Sequence, residues 1–212
     1  MTEENTEKTV DEYIQEQRFA IMSNPECSNS HYNLATALMG LRRFNEAEEE
    51  FKEAIRCSPN FAEAYVQLGG ICLQRGDIDG CLAYNQQSVK VRAAFAEGYG
   101  NIGFVQLQKG NVDEAIAALE KAVKFNSRFI QAYATLANAY LFAGQVDKSI
   151  ETGLKVLEID ENFAVAHNNL AIAYLEKGDF DKAAYYCSRA RELGYEVAPE
   201  IVREIEEQGL RA

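Results

Sequence analysis

The sequence predicts an all-α fold, a solenoid of helix–turn–helix units repeating every 34 residues. Three observations carry this. Phe61, Phe95, Phe129 and Phe163 stand 34 residues apart. In the same step runs a stripe of aromatic or His (His31, Tyr65, Tyr99, Tyr133, His167), branched apolar (Leu34, Leu68, Ile102, Leu136, Leu170) and small residues (Ala35, Gly69, Gly103, Ala137, Ala171). A turn glycine recurs at Gly76, Gly110, Gly144 and Gly178, with Arg42 breaking the series.

Composition sets the class. The 212 residues are 47% hydrophobic and 25% charged, ordinary values for a globular chain long enough to bury a core. Lys plus Arg number 21 against 33 acidic residues, a net charge of −12, which argues against nucleic acid as a partner because phosphate neutralisation needs a basic face. No run of about 18 apolar residues predicts a transmembrane helix. The opening MTEENTEKTVDEY lacks the basic start and apolar run of a secretory signal. Five cysteines, none in a C-x-x-C pair, read as reduced thiols, and a cytoplasmic location is the expectation.

The elements follow in chain order. Residues 8–24 read as one helix with Val10, Tyr13, Ile14, Ala20 and Ile21 apolar. Ala20 and Pro25 lie 34 before Ala54 and Pro59, so this helix is in phase as the second half of a truncated unit. Five full units are placed at 28–61, 62–95, 96–129, 130–163 and 164–197. In each, the first helix carries the i, i+3, i+4, i+7 apolar stripe. The small residue lets the second helix approach closely, against Ala47, Cys81, Ala115, Ser149 or Ala183. Glycine ends the first helix, and the following Asp77, Asn111 or Asp179 starts the second as a cap, with Gln145 at the same place. Residues 198–208 form a last helix with Pro199 near its start and Ile201, Val202 and Ile205 covering the final unit. One hairpin cannot bury its own face, so stacking in a single domain, residues 1–212, is expected. Asn85 and Ser88, in place of apolar residues, predict a more polar and flexible seam between the second and third units.

On these columns, and most clearly in HYNLATALMGLRRFNEAEEEFKEAIRCSP (31–59) and AHNNLAIAYLEKGDFDKAAYYCSRA (166–190), the chain resembles the tetratricopeptide repeat (TPR) family. The resemblance covers residues 28–197. It implies a right-handed superhelix whose first helices line a concave, ligand-binding side.

Nothing in the sequence points to an enzyme or a cofactor. The two histidines, His31 and His167, fall in the aromatic packing column. There is no H-E-x-x-H, phosphate-binding loop or G-x-S-x-G. Cys72 and Cys81 fall on facing columns of one hairpin, where they serve as small core side chains or, as the sharper alternative, a redox pair.

The family pattern places four columns on the concave side. One is Asn33, Gln67, Asn101, Thr135 and Asn169; a second is Tyr32, Val66, Gly100, Ala134 and Asn168. A third holds Thr36, Gly70, Phe104, Asn138 and Ile172, and at the outer edge stand Asn29, Glu63, Glu97, Gln131 and Val165. An amide offers an acceptor and two donors, so such a column can pair with the main chain of an extended peptide. It resembles the asparagine ladder of O-linked N-acetylglucosamine transferase, interrupted here by Gln67 and Thr135; the same amides equally suit bonding between neighbouring helices. The two-carboxylate clamp of TPR cochaperones is not expected, because these columns hold no Lys or Arg. Gly70, Gly100 and Ala134 leave room for a bulky ligand side chain or a helix, so the segment is expected to dock either extended or as a helix in the groove.

The expected function is therefore a non-enzymatic interaction module or scaffold. It would bind a peptide segment with apolar and some basic residues through Tyr32, Asn33, Gln67, Asn101, Phe104, Thr135, Asn138, Asn168 and Asn169. Alternatives are a carrier for an apolar client, a regulatory subunit of a separate enzyme, and a self-assembling scaffold in which one chain docks on another as a homo-oligomer. No metal and no direct membrane insertion are expected.

Overall fold

The structure, a computed structural model, describes residues 9–209. Among them are twelve α-helices and no strand: α1 (Val10–Ser23), α2 (Ser28–Gly40), α3 (Phe44–Cys57), α4 (Ala62–Gln74), α5 (Ile78–Val91), α6 (Ala96–Gln108), α7 (Val112–Phe125), α8 (Ile130–Phe142), α9 (Val146–Ile159), α10 (Ala164–Lys177), α11 (Phe180–Glu192) and α12 (Pro199–Gly209). Lys8, placed at the start of the first predicted helix, lies outside the described residues. The chain forms two compact units divided between Gly98 and Tyr99.

The 34-residue cadence is written into the backbone. Each first helix runs into a left-handed residue: Arg42 (φ 58°), Gly76 (77°), Gly110 (77°), Gly144 (69°) and Gly178 (78°). The next amide reaches back five residues, from Arg43 to Leu38, Asp77 to Cys72, Asn111 to Gln106, Gln145 to Tyr140 and Asp179 to Tyr174, closing the helix end at 2.8–2.9 Å. Arg42 therefore does not break the series; it adopts the glycine conformation. Second helices end differently. Asn24, Ser58, Arg92, Asn126 and Asp160 all turn to φ −135 to −145° and ψ 88 to 101°. Because Asn24 shares this turn, α1 is the second helix of a partial unit, as its phase predicts.

Capping follows the sequence in part. The carboxylates of Asp77 and Asp179 accept from the amides of Gly80 (2.8 Å) and Lys182 (3.2 Å). Asn111 does not cap α7; its amide donates instead to Gln106 Oε1 at 2.9 Å, so the neutral side chain satisfies another amide rather than the helix N-terminus. Thr9 forms a capping box with Glu12.

In the first unit α1 packs on α2, and the hairpins α2–α3 and α4–α5 stack through Leu34, Leu38, Phe51, Leu68 and Ile71. Gly69 is glycine because a Cβ would lie 2.4 Å from Asn85 Nδ2. Asn85 and Ser88 are fully buried and bond their own helix, Nδ2 donating to Cys81 O (2.8 Å) and the hydroxyl to Asn85 O (2.7 Å). In the second unit α7–α12 stack in order around Leu119, Leu136, Val156, Leu170 and Ala183, and Ile201, Val202 and Ile205 of α12 close the last hairpin.

Three members of the His/Tyr column share a task. His31 Nε2 contacts Pro25 O (3.0 Å), Tyr65 OH donates to Pro59 O (3.3 Å), and His167 Nε2 contacts Glu161 O (2.8 Å), each six residues back. The ring packs in the core while its polar tip fixes the turn entering the unit. His31 Nδ1 also meets Glu50 Oε2 at 2.6 Å. Both histidines are structural.

Candidate functional site

First helices present the candidate surface, and each compact unit carries its own part of it. In the second unit α6, α8 and α10 form a trough of about 440 Å³ lined by Phe104, Leu107, Gln108, Ala134, Thr135, Asn138, Phe142, Val165, Asn169 and Tyr195. Every one of these side chains is uncharged. Phe104 and Phe142 are exposed, Phe142 at 68%, and Asn138 and Asn169 are half-buried. A smaller recess of about 140 Å³ beside it brings in Asn101. The trough thus gathers Phe104, Thr135, Asn138 and Asn169 with amide and aromatic groups on one wall.

In the first unit Tyr32 stands between two clefts. One, about 500 Å³, runs between α1 and α2 along Val10, Tyr13, Asn33, Ala37 and Leu41. The other, about 390 Å³, is lined by Glu63, Val66, Gln67, Arg92, Ala94, Phe95 and Glu97. Tyr32 is fixed by stacking on Phe61 (4.8 Å between ring centres) and by a tilted contact with Phe51 (5.5 Å). Asn168 lies apart from all four: it is 8% exposed and lines none of them.

Two residues of the candidate wall are partly engaged in packing. Asn169 Nδ2 donates to Ala134 O at 3.4 Å, tying α10 to α8, and Thr135 Oγ1 donates to Gln131 O within its own helix at 2.8 Å. The room anticipated at Gly100 is filled. A Cβ there would sit 2.8 Å from the ring of Phe129, the residue that ends the same repeat, so this glycine receives that ring and not a ligand. Ala134 is buried in a cluster with Val156 and Ala166, against which Phe163 packs. Of the three positions expected to leave room, only Gly70 faces open space.

The edge charge also differs from expectation. Glu63 is held by Arg92 in a two-pronged pair, 2.5 and 2.9 Å. Burial raises its pKa, but the Arg92 bond, with Arg92's charge and a backbone bond, brings it below the usual carboxylate range. Arg92 enters from the end of a second helix, outside the columns considered for a cation. Phe142, Gln108 and Tyr195 were likewise missed. Phe142 and Gln108 are four residues beyond Asn138 and Phe104, so helical spacing could have found them. Tyr195 could not be found so. It follows Gly194 (φ 82°), where α11 ends with the turn otherwise used by first helices, Tyr195 N bonding Ala190 O.

What the trough can offer chemically is amide hydrogen bonds and aromatic contact area. All five cysteines are free. Burial pushes the Cys72 and Cys81 thiols up, which disfavours the nucleophilic thiolate a redox pair requires. Among the described residues no cluster of His, Cys, Asp or Glu could hold a metal, and no helix is long and apolar enough to cross a membrane.

Comparison with known proteins agrees with this architecture. Three family models, each described as tetratricopeptide repeat, match residues 28–61, 106–152 and 152–185, together more than half of the chain. No curated protein matches significantly. Among solved structures, MamA is 26% identical, with a TM-score of 0.68 over 82% of this chain and 98% of that one. YrrB, described as a TPR protein with an unusual peptide-binding site, is 18% identical with a TM-score of 0.74 over 92% and 99%. PilF of Pseudomonas aeruginosa is 17% identical with a TM-score of 0.76 over 96% and 97%. The last two likenesses concern the fold alone.

Proposed function

The chain belongs to the tetratricopeptide repeat family, and on that premise we propose that it is a non-enzymatic interaction module of one domain that holds a peptide segment of a partner protein on its first-helix face. One observation carries the reading: the trough of the second unit sets exposed Phe104 and Phe142 beside the amides of Asn138 and Asn169 with no charged side chain on its wall. Aromatic rings supply apolar contact area. Amides meet the donors and acceptors of a peptide main chain without requiring one sequence. The peptide-binding site in YrrB's description is consistent with this use of the fold. A wall without Lys or Arg cannot neutralise phosphates, so the partner is protein and not nucleic acid. The five free thiols suit a cytoplasmic setting.

A photo-crosslinking residue in place of Phe142 tests this directly, because that side chain is exposed and its replacement leaves the core intact. A specific adduct with one partner is expected. Asn138→Ala should weaken that complex by about 0.5–1.5 kcal/mol, the net value of one hydrogen bond. Adduct formation unaffected by Asn138→Ala and Phe104→Ala together moves the site away from the trough.

Self-assembly is the second reading. It is favoured by α1, whose Phe19 and Met22 are 71% and 80% exposed. Light scattering over a concentration series decides it: mass that rises in the native chain and stays monomeric in Phe19→Glu/Met22→Glu supports a homo-oligomer.

A further inference from the structure

We propose that the cleft around Glu97 in the first unit is a subsite for a basic side chain of the bound segment, set next to an apolar residue lodged on the other side of Tyr32. This rests on the peptide-binding reading above and names the chemistry of a part of that surface. Two carboxylates and one guanidinium line the cleft, a net charge of −1. The charges are not equivalent. Glu63 is already matched by Arg92 at 2.5 and 2.9 Å. Arg92 is in turn held over the Phe95 ring, 4.8 Å from its centre. Swinging Arg92 toward Glu97 would therefore forfeit both a bidentate pair and a cation–π contact. Glu97 is exposed, stands in the first turn of α6, and has no ion-pair partner among the described residues. The net charge of the cleft is thus carried by one carboxylate that a ligand can reach.

Its neighbour has the opposite character. Beyond Tyr32 the α1–α2 cleft is lined, among the described residues, by uncharged and mainly apolar side chains, Val10, Tyr13, Ala37 and Leu41 among them. Tyr32, fixed against Phe61 and Phe51, separates the two as a rigid post. A segment crossing it meets an apolar seat on one side and an unmatched negative charge on the other. Charge complementarity selects Lys or Arg for the second seat and disfavours Asp or Glu.

The test uses a displayed library of random short peptides selected on the full chain, with affinities of individual clones measured by fluorescence anisotropy. The native protein should enrich peptides with Lys or Arg a few positions from a large apolar residue. Glu97→Gln should weaken such clones two- to fivefold, the size of an exposed ion pair, and flatten their salt dependence. Arg92→Gln should act in the opposite sense and tighten them, because Glu63 is released. Enrichment of peptides without basic residues, or of acidic ones, overturns the subsite while leaving peptide binding intact. Basic clones indifferent to both variants overturn it too. Selection of no peptide at all overturns the peptide-binding reading itself.

Discussion

Replacing Arg42 with Gly should stabilise the protein. Arg42 sits at φ 58°, the place where the other four units have Gly at 69–78°. An L-residue in this region costs about 1–2 kcal/mol because Cβ crowds the following carbonyl. Glycine returns part of the gain, about 0.4–1 kcal/mol, because it is freer in the unfolded chain. The Arg42 side chain is exposed and makes no hydrogen bond or ion pair with any described residue, so little else is lost. The net gain is about 0.5–1 kcal/mol. With a urea slope of about 2 kcal/mol per molar, the unfolding midpoint should rise by about 0.3–0.5 M. Helical circular dichroism against urea measures this. Gly110→Ala is the mirror experiment, and it should lower the midpoint. A lower midpoint for Arg42→Gly, or a higher one for Gly110→Ala, would refute the claim that one left-handed turn closes every first helix.

Two further outcomes are expected. Gly100→Ala places a Cβ 2.8 Å from the Phe129 ring and should destabilise the second unit by about 1–3 kcal/mol, seen as a lower thermal midpoint; an unchanged midpoint would mean that the ring yields freely. Tyr140 is pushed up to about 12, by burial first, then by its hydroxyl's bond to Glu120 (2.7 Å) and the charges of Glu120 and Glu151. Its neutral form is favoured by folding. The stability it adds is therefore complete below its ordinary value near 10 and lost as pH rises through about 12. Phenolate absorbance should show a late-titrating component that shrinks in Tyr140→Phe; titration curves that superimpose would disprove the shift.

The fold was legible because burial and backbone geometry force the same residue types at the same places. Ala35, Ala47, Ala137 and Ala171 are 0–1% exposed, since two helix backbones meet there and only small side chains fit. The positive-φ turns announce themselves as glycine for a similar reason. Arg42 shows the limit: with four neighbouring units paying no such strain, one turn can carry an ill-suited residue, and the sequence then looks interrupted where the backbone is not. The site was less legible. Column 32/66/100/134/168 faces both the first-helix surface and the Phe that ends its own repeat, so a glycine in it signals a ring from within as readily as space for a ligand. Gly100 is the first case. Arg92 was hidden because it comes from a second-helix end, and its pairing with Glu63 depends on side-chain reach that a helical wheel does not contain.

What separates function from packing here is departure from the repeat. The position four residues beyond Asn138 holds Phe142, where the corresponding residues of other units are Gly40, Gln74, Gln108 and Glu176. An aromatic ring 68% exposed gains little for folding, so its unit's packing gives no reason for it to stand there. The same reasoning applies to Tyr195, delivered to the trough by a left-handed turn at Gly194 that no other second helix uses. Both departures converge on one uncharged wall beside Asn138 and Asn169. Phe142→Ala should accordingly leave the unfolding midpoint nearly unchanged while weakening the captured partner. A variant that instead lost stability and kept its partner would place Phe142 among the packing residues and remove the main aromatic argument for the trough.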